Sequence, residues 1–163
     1  MIAKTAKCGV FAALAIIVST LERFIPLQAV VPVPGIKLGL ANCVILFVLI
    51  KIGFFYAASV MIIKSVTVGI LFSGLSSIIF SLTGGFLALL VMFVLLNFKK
   101  LFSICGISVA GAALHSFGQI LAASVMLGSG YIFGYLPVLL LISVFTGLLT
   151  GFLTQILVER IEV

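Results

Sequence analysis

Apolar runs fill most of the chain, and the few charged, glycine and proline positions between them divide it into six segments. The runs cover about residues 6–23, 36–51, 52–72, 76–98, 102–127 and 135–158, and their length and unbroken hydrophobicity predict helices. Pro26, Pro32 and Pro34 make a helix improbable across 25–35. SGLSS closes the third segment, and Gly128, Ser129 and Gly130 close the fifth. The second segment is short for a full span and reads as tilted or partly re-entrant. The first follows Lys4 and Lys7 as a signal peptide would. It runs into Glu22-Arg23 without a small-residue cleavage site, so it is expected to be a retained helix.

Composition turns six apolar helices into a membrane protein. Of 163 residues, 64% are hydrophobic and only 7% charged, against about 25% charged in soluble domains. Nine basic and three acidic side chains cannot cover a soluble surface of this size, whereas lipid can solvate the remainder. The expected fold is therefore an all-α integral membrane protein, a six-transmembrane-helix bundle forming a single domain over 1–163. It is expected in the cell (plasma) membrane as a multi-pass protein.

Charge placement predicts orientation. With a cytoplasmic N-terminus, Lys4, Lys7, Lys51, Lys99, Lys100 and Arg160 fall inside and only Arg23 and Lys37 outside, as the positive-inside rule requires. Both termini are then cytoplasmic. The net charge of +6 is spread along the chain, so nucleic acid is not an expected partner.

Several chemistries are excluded by residue type. The chain has no Asp, and its acids are Glu22, Glu159 and Glu162. Mg²⁺-dependent phosphoryl or prenyl transfer needs several carboxylates, so no metal, no cofactor and no catalytic residue are expected. Cys8, Cys43 and Cys105 stand singly in apolar runs, without zinc or redox spacing. No Walker-type phosphate loop is present.

What remains is a handful of polar side chains where lipid or apolar protein is expected. A charge deep in a bilayer costs roughly 2.5–3.5 kcal/mol on insertion scales, which makes such residues functional candidates. Lys64 and His115 lie about 18 and 20 Å along helices that run in the same direction, and Gln119 follows His115 on the same face. Glu22 and Arg23 end the first helix, Lys37 precedes the second, and Asn42 lies inside it. Together these predict an outward-facing substrate pocket lined by Arg23, Lys37, Asn42, Lys64, His115 and Gln119, with the Pro-rich loop as a lid. Its basic character points to a small anionic or amphipathic solute. The structural alternatives are that Arg23 and Lys37 snorkel to headgroups, that Lys64 pairs with Glu22 or a carbonyl, and that His115 and Gln119 only join helices.

Small residues form a second pattern. Ala6, Gly9 and Ala13 share one face of the first helix, Ser108, Gly111, Ala112, Gln119 and Ala122 make a small or polar stripe on the fifth, and Gly147 and Gly151 pair on the sixth. Such faces let helices approach closely, within the bundle or against another subunit.

The stretches LERFIP, PGIKLGLAN, LFSGLSSIIFSLTGG, ISVAGAALHSFGQ and YLPVLLLISVFTGLLTG resemble the heptaprenyl diphosphate synthase component I family, also called the Gx transporter family. The resemblance covers about residues 21–151. That family is similar to the substrate-binding S components of energy-coupling factor transporters, six-helix proteins that pair with a transmembrane coupling subunit and two ATPase subunits. The resemblance implies docking through a small-residue motif on the first helix, for which Gly9-xxx-Ala13 is the nearest match, with Ala6 on the same face. It also implies that ATP hydrolysis belongs to the partners. Three functions follow as expectations: an S component, a non-catalytic membrane subunit of heptaprenyl diphosphate (isoprenoid or menaquinone) synthesis, and a membrane scaffold for a redox or flavin-modifying complex. A cationic pocket suits a flavin nucleotide, an isoprenoid diphosphate or a carboxylated vitamin equally well.

Overall fold

The computed structural model describes residues 2–25, 37–98 and 100–161, and all regular structure among them is helical. Helix α1 (Ile2–Leu21) ends in a tight 3₁₀ turn, Glu22–Phe24. The chain is described again from Lys37 and enters α2 (Asn42–Lys51). Helices α3 (Phe54–Val68) and α4 (Gly74–Leu96) are joined through a widened π turn, Gly69–Ser73. Helix α5 (Ile104–Leu127) leads through a second 3₁₀ turn, Gly130–Tyr135, into α6 (Leu136–Arg160).

Four helical stretches among the described residues are long and apolar enough to cross a membrane: Thr5–Phe24, Phe54–Leu96, Ile104–Leu127 and Gly130–Arg160. Six separate spans are expected from the sequence, and the difference has two sources. The third and fourth segments form one helical run of 43 residues, which would reach about 65 Å if straight. It folds back on itself instead: Phe54 meets Phe93 with ring centroids 4.9 Å apart, Met61 lies against Gly85, and Gly69 against Ile78. Gly74, at φ +78°, takes the backbone conformation that reverses the chain and that a side chain would strain.

The second source is α2, which begins at Asn42 rather than near Ile36, because residues 37–39 are non-helical and Gly39 has φ +83°. Ten residues make a helix of about 15 Å, half a hydrocarbon core. Its residues from Asn42 to Leu49 are all buried. A helix that is apolar all round belongs inside, and here Phe47, Leu46 and Val48 join Met61, Leu89, Met92 and Ile107 in the larger core.

A smaller core of Phe80, Ile120, Ala123, Ile132 and Leu139 ties α4 to α5 and α6. The small-residue faces of α5 and α6 meet each other. Gly147 sits against the backbone of Val109, Gly151 against that of Cys105, and Ser108 and Thr150 share a hydrogen bond of 2.8 Å. Ser116 and Ser143 share another of 2.7 Å. Outward faces of α1 and α6 carry bare Val10, Ile17, Leu141, Phe145 and Phe152, a surface that lipid solvates.

Candidate functional site

A polar cluster lies where α1 ends, α2 begins and α3, α4 and α5 pack together. Its geometry starts from Glu22, which the 3₁₀ turn after α1 carries into the interior, only 5% exposed. The Glu22 carboxylate accepts the backbone N–H of Gly39 and, at 3.2 Å, that of Leu40. Both donors stand just ahead of α2, where helix-end N–H groups and the helix dipole favour a negative charge.

From the opposite side α5 presents His115 and Gln119, one turn apart and both fully enclosed. Gln119 Oε1 accepts the Lys37 backbone N–H at 3.3 Å, and its Nε2 lies 3.0 Å from His115 Nε2. Because the oxygen is used by Lys37, the amide nitrogen must be the donor to the imidazole. His115 Nε2 is then an acceptor, the ring is neutral, and its proton sits on Nδ1, beside the backbone of Gly84.

Two glycines make room for that ring. A methyl on Gly39 would stand 2.9 Å from both Asn42 Nδ2 and His115 Cδ2. One on Gly84 would stand 2.5 Å from the His115 carbonyl oxygen and 3.1 Å from its Nδ1. Asn42, on the first turn of α2, is 4% exposed, and neither end of its amide has a partner. The hydroxyls of Ser65 on α3 and Ser77 on α4 are likewise buried and unpartnered. Buried polar atoms in this state are uncommon and call for a ligand, an ion or water.

The cations complete the cluster. Lys64, on α3, is 3% exposed, and its charge and that of Lys37 reach both Glu22 and His115. Lys37, in the non-helical segment before α2, is half-buried, and burial pulls its ammonium down to about 8. The neighbouring Lys64 charge acts the same way, and Glu22 opposes it.

Of the side chains singled out from the sequence, Lys37, Asn42, Lys64, His115 and Gln119 therefore converge. Arg23 does not join them: it is exposed at the rim, with its guanidinium 5.0 Å from the centre of the Phe72 ring. The Pro-rich stretch expected to act as a lid lies outside the described residues, Ile25 apart. Glu22, Gly39 and Gly84 are the members that sequence reasoning did not place in the site. The available signal was that Glu22 is the one acid outside the C-terminal end of a chain rich in apolar helix. Ala6, Gly9 and Ala13 are all exposed on α1, and nothing lies within 4 Å of where a Gly9 methyl would be.

The fold and this cluster define a multi-pass helical membrane protein with a buried, partly unsatisfied polar site. The chain belongs to the heptaprenyl diphosphate synthase component I family, whose model matches residues 11–157. Neither the curated proteins nor the solved structures return a match to it.

Proposed function

We propose that this chain is the substrate-binding (S) component of an energy-coupling factor type uptake transporter, capturing a small anionic or amphipathic solute from outside the cell. The observation that carries this reading is Lys64, a lysine enclosed within α3, in a cluster where both polar atoms of the buried Asn42 amide lack partners. Burying such groups is costly unless something fills the site. A ligand that supplies a negative charge and hydrogen-bonding atoms does so.

In this reading the bundle crosses the plasma membrane six times: the folded run Phe54–Leu96 crosses twice, and α2 completes the set. Both termini face the cytoplasm. The site opens outward, with Arg23 at its mouth and Lys37, Asn42, Lys64, His115 and Gln119 as ligand-binding residues. The bare face of Ala6, Gly9 and Ala13 docks a transmembrane coupling subunit, and two ATPase subunits supply the energy that turns the loaded bundle toward the cytoplasm. The chain itself is not an enzyme.

Two measurements test the proposal. The tagged chain, purified from native membranes in mild detergent, is expected to bring a coupling subunit and ATPases with it. Lys64→Ala should still insert into the membrane but bind solute at least tenfold more weakly, the loss of one charged contact being worth about 1.5–3 kcal/mol. Unchanged affinity would remove Lys64 from the site.

The family's description favours a second reading, a non-catalytic membrane subunit of heptaprenyl diphosphate synthesis. Co-purification of a soluble prenyl synthase without ATPases would establish that reading in place of the first.

A further inference from the structure

The ionisable groups that face the site are few. Lys37 and Lys64 are its basic groups, and Glu22 accepts two backbone N–H bonds near them, which favour its carboxylate form. His115 is neutral because its Nε2 accepts from Gln119. Arg23 is exposed at the rim and engaged with Phe72. Residues 26–36 contain no ionisable side chain, so wherever they lie they cannot alter the sum. The other described charges, Lys7, Lys51, Lys100, Glu159 and Arg160, belong to the opposite ends of their helices. With both lysines as ammonium groups and Glu22 as a carboxylate, the site sums to two positive charges and one negative.

Resting on the anion-capture reading above, we infer that this site selects a solute whose buried head group carries a single negative charge, and rejects doubly or more highly charged phosphates. One negative charge brings the enclosed set to neutrality; a phosphate monoester or diphosphate would leave uncompensated charge out of water, which is strongly disfavoured. Glu22 is thus the specificity-determining residue, since its carboxylate cancels one of the two lysines. The Asn42 amide has a free donor and a free acceptor, so the solute also presents a neutral hydrogen-bonding edge beside its charge.

Phenyl sulfate and phenyl phosphate separate charge from shape. Both carry a tetrahedral head on the same ring, but at pH 7.5 the first is a monoanion and the second largely a dianion. Binding is measured calorimetrically on the full chain in detergent. Wild type is expected to bind phenyl sulfate at least about tenfold more tightly than phenyl phosphate. Glu22→Gln keeps an oxygen for the Gly39 and Leu40 N–H groups, raises the enclosed charge by one and should reverse the order. Lys64→Gln should weaken both.

Equal affinities, or tighter phosphate binding, in wild type would overturn the single-charge inference while leaving anion capture standing, provided Lys64→Gln still weakens binding. A folded Glu22→Gln protein with the wild-type order would also overturn it. If Glu22→Gln does not fold, the wild-type pair alone decides. Binding of neither probe, or binding indifferent to Lys64→Gln, would overturn both this inference and the anion-capture reading.

Discussion

At the scale of single residues the cluster is built from groups that help one another only in part. Gln119 is satisfied at both ends of its amide, Glu22 is held by backbone N–H groups, and Asn42 is left open. Lys37 gives a pH signature. Its ammonium, held near 8 by burial and by the Lys64 charge, is lost as pH rises through that value. Anion binding should therefore weaken by about tenfold between pH 7 and pH 9, one unit above the midpoint. Titration calorimetry on wild type and Lys37→Met will show it: the variant should bind more weakly at pH 7 and lack this step. Charge alone drew attention to Lys64, because a lysine amid Val60, Met61, Ile62 and Ile63 has no cheap place in lipid. Glu22 gave a weaker signal. An acid at the end of an apolar run reads as a group in water, and only the 3₁₀ turn after Leu21 shows that it points inward.

At the scale of helices, close contact depends on glycines whose neighbours leave no room. Gly84 and Gly118 bring α4 and α5 together, with a Gly118 methyl falling 2.7 Å from the Gly84 Cα. Gly118→Val should destabilise the folded chain by about 1–3 kcal/mol through overpacking. Thermal unfolding in detergent, followed by circular dichroism, is expected to shift down, while Gly9→Val, on an open face, should leave the midpoint unchanged. Segment limits were legible where punctuation is chemical. Gly128 ends α5 with φ +61°, and Ser103 accepts the Gly106 N–H at the start of that helix. The start of α2 was not legible, because Ile36 to Ala41 is as apolar as a helix and only the positive φ of Gly39 delays it. Nor was the fold-back within Phe54–Leu96 visible as a continuous run, since SGLSS reads as a loop and the structure carries it through a π turn into α4.

At the scale of the whole molecule, large apolar side chains among the described residues stand exposed along α1 and α6, as suits a lipid-facing surface. Apolar composition announced this. Orientation rests on the proposal that both ends are cytoplasmic. Single cysteines placed at Thr5 and at Ile161, in a background lacking Cys8, Cys43 and Cys105, should resist a membrane-impermeant maleimide in intact cells and react after permeabilisation. Labelling of either position in intact cells would reverse the assignment. The burial of α2 on every side has a consequence for how the protein is made. A ten-residue helix that meets protein all round has no stable position in lipid by itself. As the chain leaves the ribosome, α2 must wait for α3 to α6 before it can settle. A nascent chain stopped after Lys51 is therefore expected to lack a resting place in the bilayer until the helices that cover α2 have been made.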